Sequence, residues 1–195
     1  MSSIAGHAAA GVAAYLAFKP LENRQLLLML PVFVFLAICP DFDYFAIWLF
    51  DMAPAPRITH CLLFGLATAS LAWWLTARSD RKTPVRMPSL AFLAASLSHP
   101  LLDLLVGAHP VPLLWPLPDH DVALPFGVLP SAGRLAPGNY YLWRNLLIEL
   151  AVLLPVLAVL VAAARRMSFR PIAKWLFAFA PVWLAFVAWS VSLPR

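Results

Sequence analysis

Residues 97–109 read LSHPLLDLLVGAH, an apolar stretch that nevertheless carries two imidazoles and a carboxylate. His99 and Asp103 are four residues apart, so a helix places both side chains on one face, about one turn from each other. Ionisable groups at membrane depth are costly, and they usually face the protein interior and mark functional sites. Imidazole nitrogen and carboxylate oxygen are good ligands for zinc and similar ions. The stretch therefore predicts an apolar helix whose inner face either binds a divalent metal ion or joins two helices through a His–Asp hydrogen bond.

The composition around this stretch is typical of a membrane protein. Of the 195 residues, 63% are hydrophobic and only 12% are charged, and the mean hydropathy is +0.82. A soluble domain of this length cannot bury so much apolar surface, so we expect an integral membrane protein with a single domain over residues 1–195. The net charge of +5 is divided among short loops, which fits membrane topology better than nucleic-acid binding.

Apolar segments separated by polar turns predict an all-α, polytopic membrane helical bundle of about six helices, two of them short. The six segments cover residues 4–18, 25–39, 61–77, 88–108, 142–164 and 175–193. The first two are short for a hydrocarbon core of about 30 Å. Residues 44–50 are aromatic and are expected to lie along the interface. The proline-rich residues 109–141 contain enough apolar side chains to predict an ordered lid rather than a free linker.

The distribution of basic residues predicts the orientation of the bundle. If all six segments cross the membrane, one side receives ten of the 14 Lys and Arg residues. They are Lys19, Arg24, Arg78, Arg81, Lys82, Arg86, Arg165, Arg166, Arg170 and Lys174. Positively charged loops mark the cytoplasmic side, so both termini are expected outside.

On this topology, the titratable side chains gather in the outer half of the bundle. Every histidine falls there, and so does every aspartate except Asp80. The candidates for a shared polar site are His7, Asp41, Asp43, His60, His99, Asp103, His109 and Glu149. Scattered structural histidines would not separate so completely, and this convergence predicts one site.

Each candidate also has a plainer interpretation. Asp41 and Asp43 follow a helix, where carboxylates bind cations or simply cap helices. His7 is flanked by small apolar residues, as a buried structural histidine would be. Arg57 could bind a substrate phosphate through its planar fork or reach lipid headgroups. Glu149 lies in an apolar helix and needs a metal ion, an arginine or another helix as its partner.

The order of several short motifs resembles one family. The motifs are Gly6-His7, Pro40-Asp41-Phe42-Asp43, Thr59-His60, Ser98-His99-x-x-x-Asp103 and Pro112-Leu113-Leu114-Trp115-Pro116. Together they resemble the family of LexA-binding, inner-membrane-associated metal-dependent hydrolases. Two positions depart from that family's pattern. Arg57 is shifted by one residue with no histidine before it, and Cys61 replaces the usual serine.

A more distant likeness is to zinc-dependent phospholipase C, whose multinuclear site uses a His-x-x-x-Asp-x5-His helix. His99, Asp103 and His109 have that spacing. A further His-x-x-x-Glu pair of those enzymes falls on Asn145 and Glu149, so half of the pair is absent. We therefore expect one or two metal ions rather than a full trinuclear site.

These resemblances imply a membrane-bound metal-dependent hydrolase of the bacterial inner membrane, with its site on the extracytoplasmic side. Zinc is the first choice of divalent metal, and a phosphoester, with a lipid one as the first guess, is the implied substrate. The implied ligands are His7, Asp41, His60, His99, Asp103 and His109. Asp43 or Asp41 would take the proton of the attacking water. Arg57 and Glu149 are expected to contact the substrate, while membrane lipid, and no nucleic acid, is the expected partner.

The alternative is a non-enzymatic membrane protein, either a transporter of metal ions or protons or a regulatory partner of a cytoplasmic protein. A transporter needs ionisable groups through the depth of the bilayer, whereas here they cluster on one side. A partner-binding role would fall to the two short basic loops, which could equally serve only to set topology.

Overall fold

The computed structural model describes residues 2–18, 24–50, 57–79, 87–119, 121–131 and 136–194. Its helices are α1 (Ile4–Phe18), α2 (Leu30–Ile38), α3 (Asp43–Phe50), α4 (Leu62–Ser79), α5 (Ser89–Val106), α6 (Tyr140–Ala164) and α7 (Phe169–Ser192). Short 3₁₀ turns cover Arg24–Met29, Cys39–Phe42 and Ile58–His60. Every predicted segment contains a helix, so the all-α class is confirmed. The additional short helix α3 lies where an aromatic interfacial segment was expected.

Helix α1 lies in the middle of the bundle, in contact with α2, α5 and α6. Small residues permit this position, because they let neighbouring backbones approach closely. A β-carbon on Gly11 would lie 2.6 Å from the carbonyl oxygen of Phe33 in α2. A β-carbon on Gly6 would overlap Oε1 of Glu149 in α6. The short first helix is therefore packed inside the protein, as its small residues predict.

Helix α5 ends in a glycine cap, and the absence of a side chain there lets the following loop pack closely against the helix end. Gly107 has a φ of +64°, in the left-handed region, and its N–H donates to the carbonyl oxygen of Leu104 at 3.1 Å. A β-carbon at Gly107 would lie 2.5 Å from the carbonyl oxygen of Phe126. The loop backbone therefore packs directly on the end of the helix that carries His99 and Asp103.

Residues 110–131, called here the 110–131 loop, pack against the ends of α4 and α5 over their described part. The N–H of Leu62 in α4 donates to the carbonyl oxygen of Leu113 at 3.0 Å. Val111 and Val122 form an isolated antiparallel bridge, and Leu129 is buried. This packing agrees with the predicted ordered lid, although residues 120 and 132–135 lie outside the described part of the chain.

Among the described residues, three helices are long and apolar enough to cross a membrane. They are α5, α6 and the Ala173–Ser192 part of α7. Only 6% of that last stretch is buried inside the protein, so lipid must solvate most of its apolar side chains. Helix α1 and the Leu27–Phe42 stretch are apolar but shorter. Crossing of the membrane by all six predicted segments stays a prediction.

Candidate metal centre

Five buried side chains from four parts of the chain meet at one end of the bundle. They are His7 in α1, Asp41 in the turn after α2, His60 in the turn before α4, and His99 and Asp103 in α5. We call this set the His–Asp cluster. These five residues were predicted to share one site, and the structure brings them together.

Asp103 and Asp41 face the three histidines from two sides. Asp103 Oδ1 lies 3.4 Å from His7 Nε2, and Asp103 Oδ2 lies 3.5 Å from Nε2 of both His60 and His99. Asp41 Oδ1 lies 3.5 Å from His60 Nε2 and 3.8 Å from His99 Nε2. Asp41 Oδ2 lies 3.9 Å from His7 Nε2. Each carboxylate therefore meets all three imidazoles through the same ring atom, Nε2.

These separations fit metal coordination better than hydrogen bonding. An N–H···O hydrogen bond spans about 2.7–3.2 Å, whereas two ligands of a tetrahedral zinc ion lie roughly 3.3 Å apart. Two overlapping triads, His7–Asp41–His99 and His60–His99–Asp103, each keep their ligand atoms within 4.8 Å of one another. Nε2 of the three histidines and Oδ1 of Asp41 have no hydrogen-bond partner among the described residues. Buried polar atoms are nearly always satisfied, so this donor set fits a divalent cation.

The outer nitrogen of His99 sets the tautomer of its ring. His99 Nδ1 lies 2.7 Å from the carbonyl oxygen of Ala37 in α2. A carbonyl oxygen only accepts, so Nδ1 carries a proton and donates it. The rings of His7 and His99 stack with centroids 3.8 Å apart, an arrangement that two imidazolium cations would oppose by repulsion. In the neutral ring of His99, Nε2 presents a lone pair to the cluster, as a metal ligand does.

Thr59 sets the tautomer of His60. The hydroxyl Oγ1 of Thr59 lies 3.1 Å from Asp43 Oδ2 and 3.0 Å from His60 Nδ1. An ionised carboxylate only accepts, so the hydroxyl donates to Asp43 and accepts from Nδ1–H of His60. Nε2 of the neutral ring is then unprotonated and faces Asp41. Burial lowers the pKa of His60 more than its contact with Asp41 raises it, which favours the neutral form that binds metals.

Asp43 is held by Arg57 at the edge of the cluster. Nε of Arg57 donates to Asp43 Oδ2 at 2.7 Å, and Nη2 contacts Oδ1. The guanidinium also lies 4.5 Å from the centroid of the Tyr44 ring. Burial alone would lower the pKa of Arg57, but the bonds to Asp43 raise it, so the side chain stays charged. Because both oxygens of Asp43 are engaged, Asp41 is the better placed of the two predicted proton acceptors.

The side chains around the cluster carry a net negative charge that a cation would balance. Asp41, Asp43 and Asp103 carry three negative charges and Arg57, which contacts Asp41 and Asp43, carries one positive charge, so the group has a net charge of −2 while its histidines are neutral. Buried charge is costly unless it is paired or binds a metal ion. One divalent cation would neutralise this group.

Glu149 faces the start of α1 and not the cluster. Its Oε1 accepts from the N–H of Ser3 at 3.0 Å and contacts the hydroxyl of Ser2. A carboxylate in this position satisfies N–H groups that a helix start otherwise leaves unpaired. The N–H of Ser2 in turn donates to Asp103 Oδ1 at 2.8 Å. In this structure Glu149 therefore holds the N-terminal segment beside the cluster, and its predicted substrate contact stays a prediction.

A cavity of about 160 Å³ lies beside the cluster. Its lining includes Arg57, His60, Asp103, His109 and residues 110–112. His109 is exposed and belongs to neither ligand triad. The geometry therefore places His109 where it can meet a ligand in the cavity, and its role as a metal ligand stays a prediction.

Two hydrogen-bonding groups of the site were missed by the sequence analysis, namely the hydroxyl of Thr59 and the carbonyl of Ala37. Thr59 precedes a histidine and could be taken for a helix cap, but α4 begins only at Leu62, after an extended Cys61. The Thr-His pair was thus the available signal for this contact. Both cysteines of the chain are buried and free.

Comparison with known proteins identifies the family but not an activity. The family model described as YdjM inner membrane protein matches residues 1–191. No curated protein and no solved structure matches the chain. The family description names neither a reaction nor a partner, so LexA binding, hydrolysis and the likeness to phospholipase C stay predictions. The chain belongs to the YdjM inner membrane protein family.

Proposed function

We propose that this protein is a membrane-bound hydrolase that uses a divalent metal ion, with zinc as the first choice, to cleave a phosphoester. One observation carries the proposal: the Nε2 atoms of three buried histidines face the same two carboxylates. A hydrogen bond that merely joins helices would bring nitrogen and oxygen to about 2.9 Å. The shortest such separation in the cluster is 3.4 Å.

In this proposal, His7, His60 and His99 hold the ion through Nε2 and Asp103 completes its ligands, while Asp41 stays outside the ligand set as the proton acceptor. The two triads share His99, which suits either one ion or two adjacent ions. When bound, such an ion supplies a Lewis acid and makes a neighbouring water more acidic. Ala37 and Thr59 act by orienting the rings of their histidine partners, as hydrogen-bonding groups behind metal ligands do.

Asp41 is the proposed proton acceptor of the reaction. Its Oδ1 has no hydrogen-bond partner among the described residues, whereas Asp43 is engaged by Arg57 and Thr59. Water forms a new bond to phosphorus, the ester P–O bond breaks, and Asp41 takes the proton of the water. The departing alkoxide takes a proton from solvent.

The cavity supports a phosphoester as the substrate class. Arg57 lines it with a planar, permanently charged guanidinium, a group suited to phosphate oxygens. The fork onto Asp43 fixes the plane of that guanidinium beside the cluster. The substrate phosphoryl would therefore lie between Arg57 and the ion held by the histidines.

We place the cluster at the extracytoplasmic face of a multi-pass protein. It lies where α1 and α4 begin and near the end of α5, while the basic residues Arg78 and Arg165 lie at the far end of α4 and at the end of α6. Positively charged residues mark the cytoplasmic side. Cysteine labelling of introduced single sites at positions 140 and 167 with an impermeant reagent tests this orientation, and labelling of position 167 alone in intact cells would contradict it.

Hydrolysis is tested with purified protein in detergent and a chromogenic phosphomonoester. We expect turnover that a chelator abolishes and zinc restores, and no turnover in His99→Ala. Asp41→Asn keeps an oxygen in place but cannot accept a proton, so it should retain metal better than His99→Ala and still lose turnover. Metal-independent hydrolysis, or turnover by His99→Ala equal to wild type, would contradict the proposal.

A further inference from the structure

We infer that the cavity beside the His–Asp cluster takes the phosphate headgroup of a membrane lipid, while the hydrocarbon tail stays outside among apolar side chains at its mouth. This inference rests on the proposed function, because His60 and Asp103 form the cluster side of the cavity. The inference adds to that proposal the kind of molecule that carries the phosphoester, a membrane lipid, and the position of its tail outside the cavity.

The size and charge of the cavity select a small anionic head. A volume of about 160 Å³ is well below the roughly 300–1,000 Å³ of pockets that enclose a whole drug-sized ligand. A phosphate with a small substituent fits, and a complete lipid does not. Arg57 supplies a fixed positive charge on the wall, and His109 adds an exposed imidazole that can donate to phosphate oxygens.

Exposed apolar side chains lie close in the sequence to the residues that line the cavity. Ile58, the residue after Arg57 of the cavity wall, is 44% exposed. Leu114 and Leu117 on the 110–131 loop are 44% and 58% exposed. The bond from Leu62 N–H to the carbonyl oxygen of Leu113 joins the loop to the start of α4, which brings these side chains to one region. In a membrane protein, such a rim can hold acyl chains while a polar head enters the cavity.

A matched pair of probes separates a lipid headgroup from a soluble phosphate. Lysophosphatidate and glycerol phosphate carry the same head, and only the former has a tail. Binding of each is measured by calorimetry to zinc-loaded protein in detergent, after its metal content has been determined. We expect wild type to bind lysophosphatidate at least about tenfold more tightly, because burial of a few methylenes suffices for this factor.

Two variants and one control assign the head and the tail to their sites. His109→Ala should weaken both probes by the same factor, because it removes a headgroup contact. The double variant Leu114→Asp, Leu117→Asp should bind glycerol phosphate as wild type does but lose most of the preference for the tail. Tyr140→Asp, an exposed aromatic at the start of α6, controls for a new charge and for partitioning of the tail into detergent.

The outcomes distinguish this inference from the proposed function. Zinc-loaded protein that binds neither probe, or an unchanged tail preference in the double variant, would overturn the cavity assignment and leave the metal site standing. Equal binding of the two probes by wild type would make the ligand a soluble phosphate ester. Wild-type protein that holds no metal would contradict the proposed function. If this metal-free protein also binds neither probe, the cavity assignment is overturned as well.

Discussion

Replacing Thr59 by valine tests how the site prepares His60 for a metal ion. Valine has nearly the shape of threonine but no hydroxyl, so the packing of this half-buried side chain is preserved. The change removes the bonds of 3.0 Å to His60 Nδ1 and 3.1 Å to Asp43 Oδ2. Asp43 Oδ2 itself lies 3.7 Å from Nδ1, too far to replace the hydroxyl as acceptor. The proton of the neutral ring is then no longer fixed on Nδ1.

The expected cost follows from the loss of that orientation. Removing a hydrogen-bonding partner behind a metal ligand lowers metal affinity by about 10–100-fold, or about 1.4–2.7 kcal/mol. His7 and His99 keep their own positions, so the variant should still bind the ion. We therefore expect Thr59→Val to weaken zinc binding within that range without abolishing it.

Competition with a fluorescent zinc chelator measures this affinity in detergent-purified protein. Thr59→Ser keeps the hydroxyl and is the matched control, with an affinity expected within a few-fold of wild type. The reasoning is refuted if Thr59→Val binds zinc as tightly as wild type. It is also refuted if Thr59→Ser is as weak as Thr59→Val, because the hydroxyl would then not be the cause.

Three further predictions concern His109, Gly6 and removal of the metal ion. His109→Ala should retain the full metal content of wild type by elemental analysis, and loss of metal would return His109 to the ligand set. Gly6→Ala should lower the free energy of unfolding by about 1–3 kcal/mol, because its methyl group would overlap Oε1 of Glu149. A thermal melt of that variant beside wild type tests this overlap, and equal stabilities of Gly6→Ala and wild type would contradict it. Chelation of the wild-type protein should lower its melting temperature and added zinc should restore it, because an ion that binds only the folded state stabilises it by about 2.7 kcal/mol at a concentration of 100 times its Kd. A melting temperature unchanged by the chelator would argue against a structural contribution of the ion.

The helices could be predicted from the sequence because their signals are local. Apolar runs bounded by proline and charged turns predicted all six segments, and the structure places a helix in each. Helix α5 ends at Val106, two residues before the end of the predicted segment, because Gly107 supplies the left-handed φ of a helix cap. The 3₁₀ turn at Ile58–His60 and the extended Cys61 were not anticipated; the turn is closed by local backbone bonds, and only the next residue, Leu62, bonds to the distant loop.

The residues of the His–Asp cluster could be predicted because histidine and aspartate are rare in an apolar chain. His7, His60 and His99 stand out for that reason, and a common topology brought them to one side. The tautomer of His99 could not be predicted, because the carbonyl that orients its ring belongs to Ala37, 62 residues earlier. The role of Glu149 was equally hidden, since its partner Ser3 lies 146 residues away.

The most direct test of the metal centre is the metal content of the purified protein. Elemental analysis of wild type, His99→Ala and His109→Ala, prepared in parallel in detergent, compares a residue shared by both ligand triads with one outside them. The account predicts about one to two equivalents of zinc or a similar divalent ion in wild type and His109→Ala, and a loss in His99→Ala. Wild-type protein that holds no metal even after reconstitution would contradict the account and make the cluster a structural hydrogen-bond network.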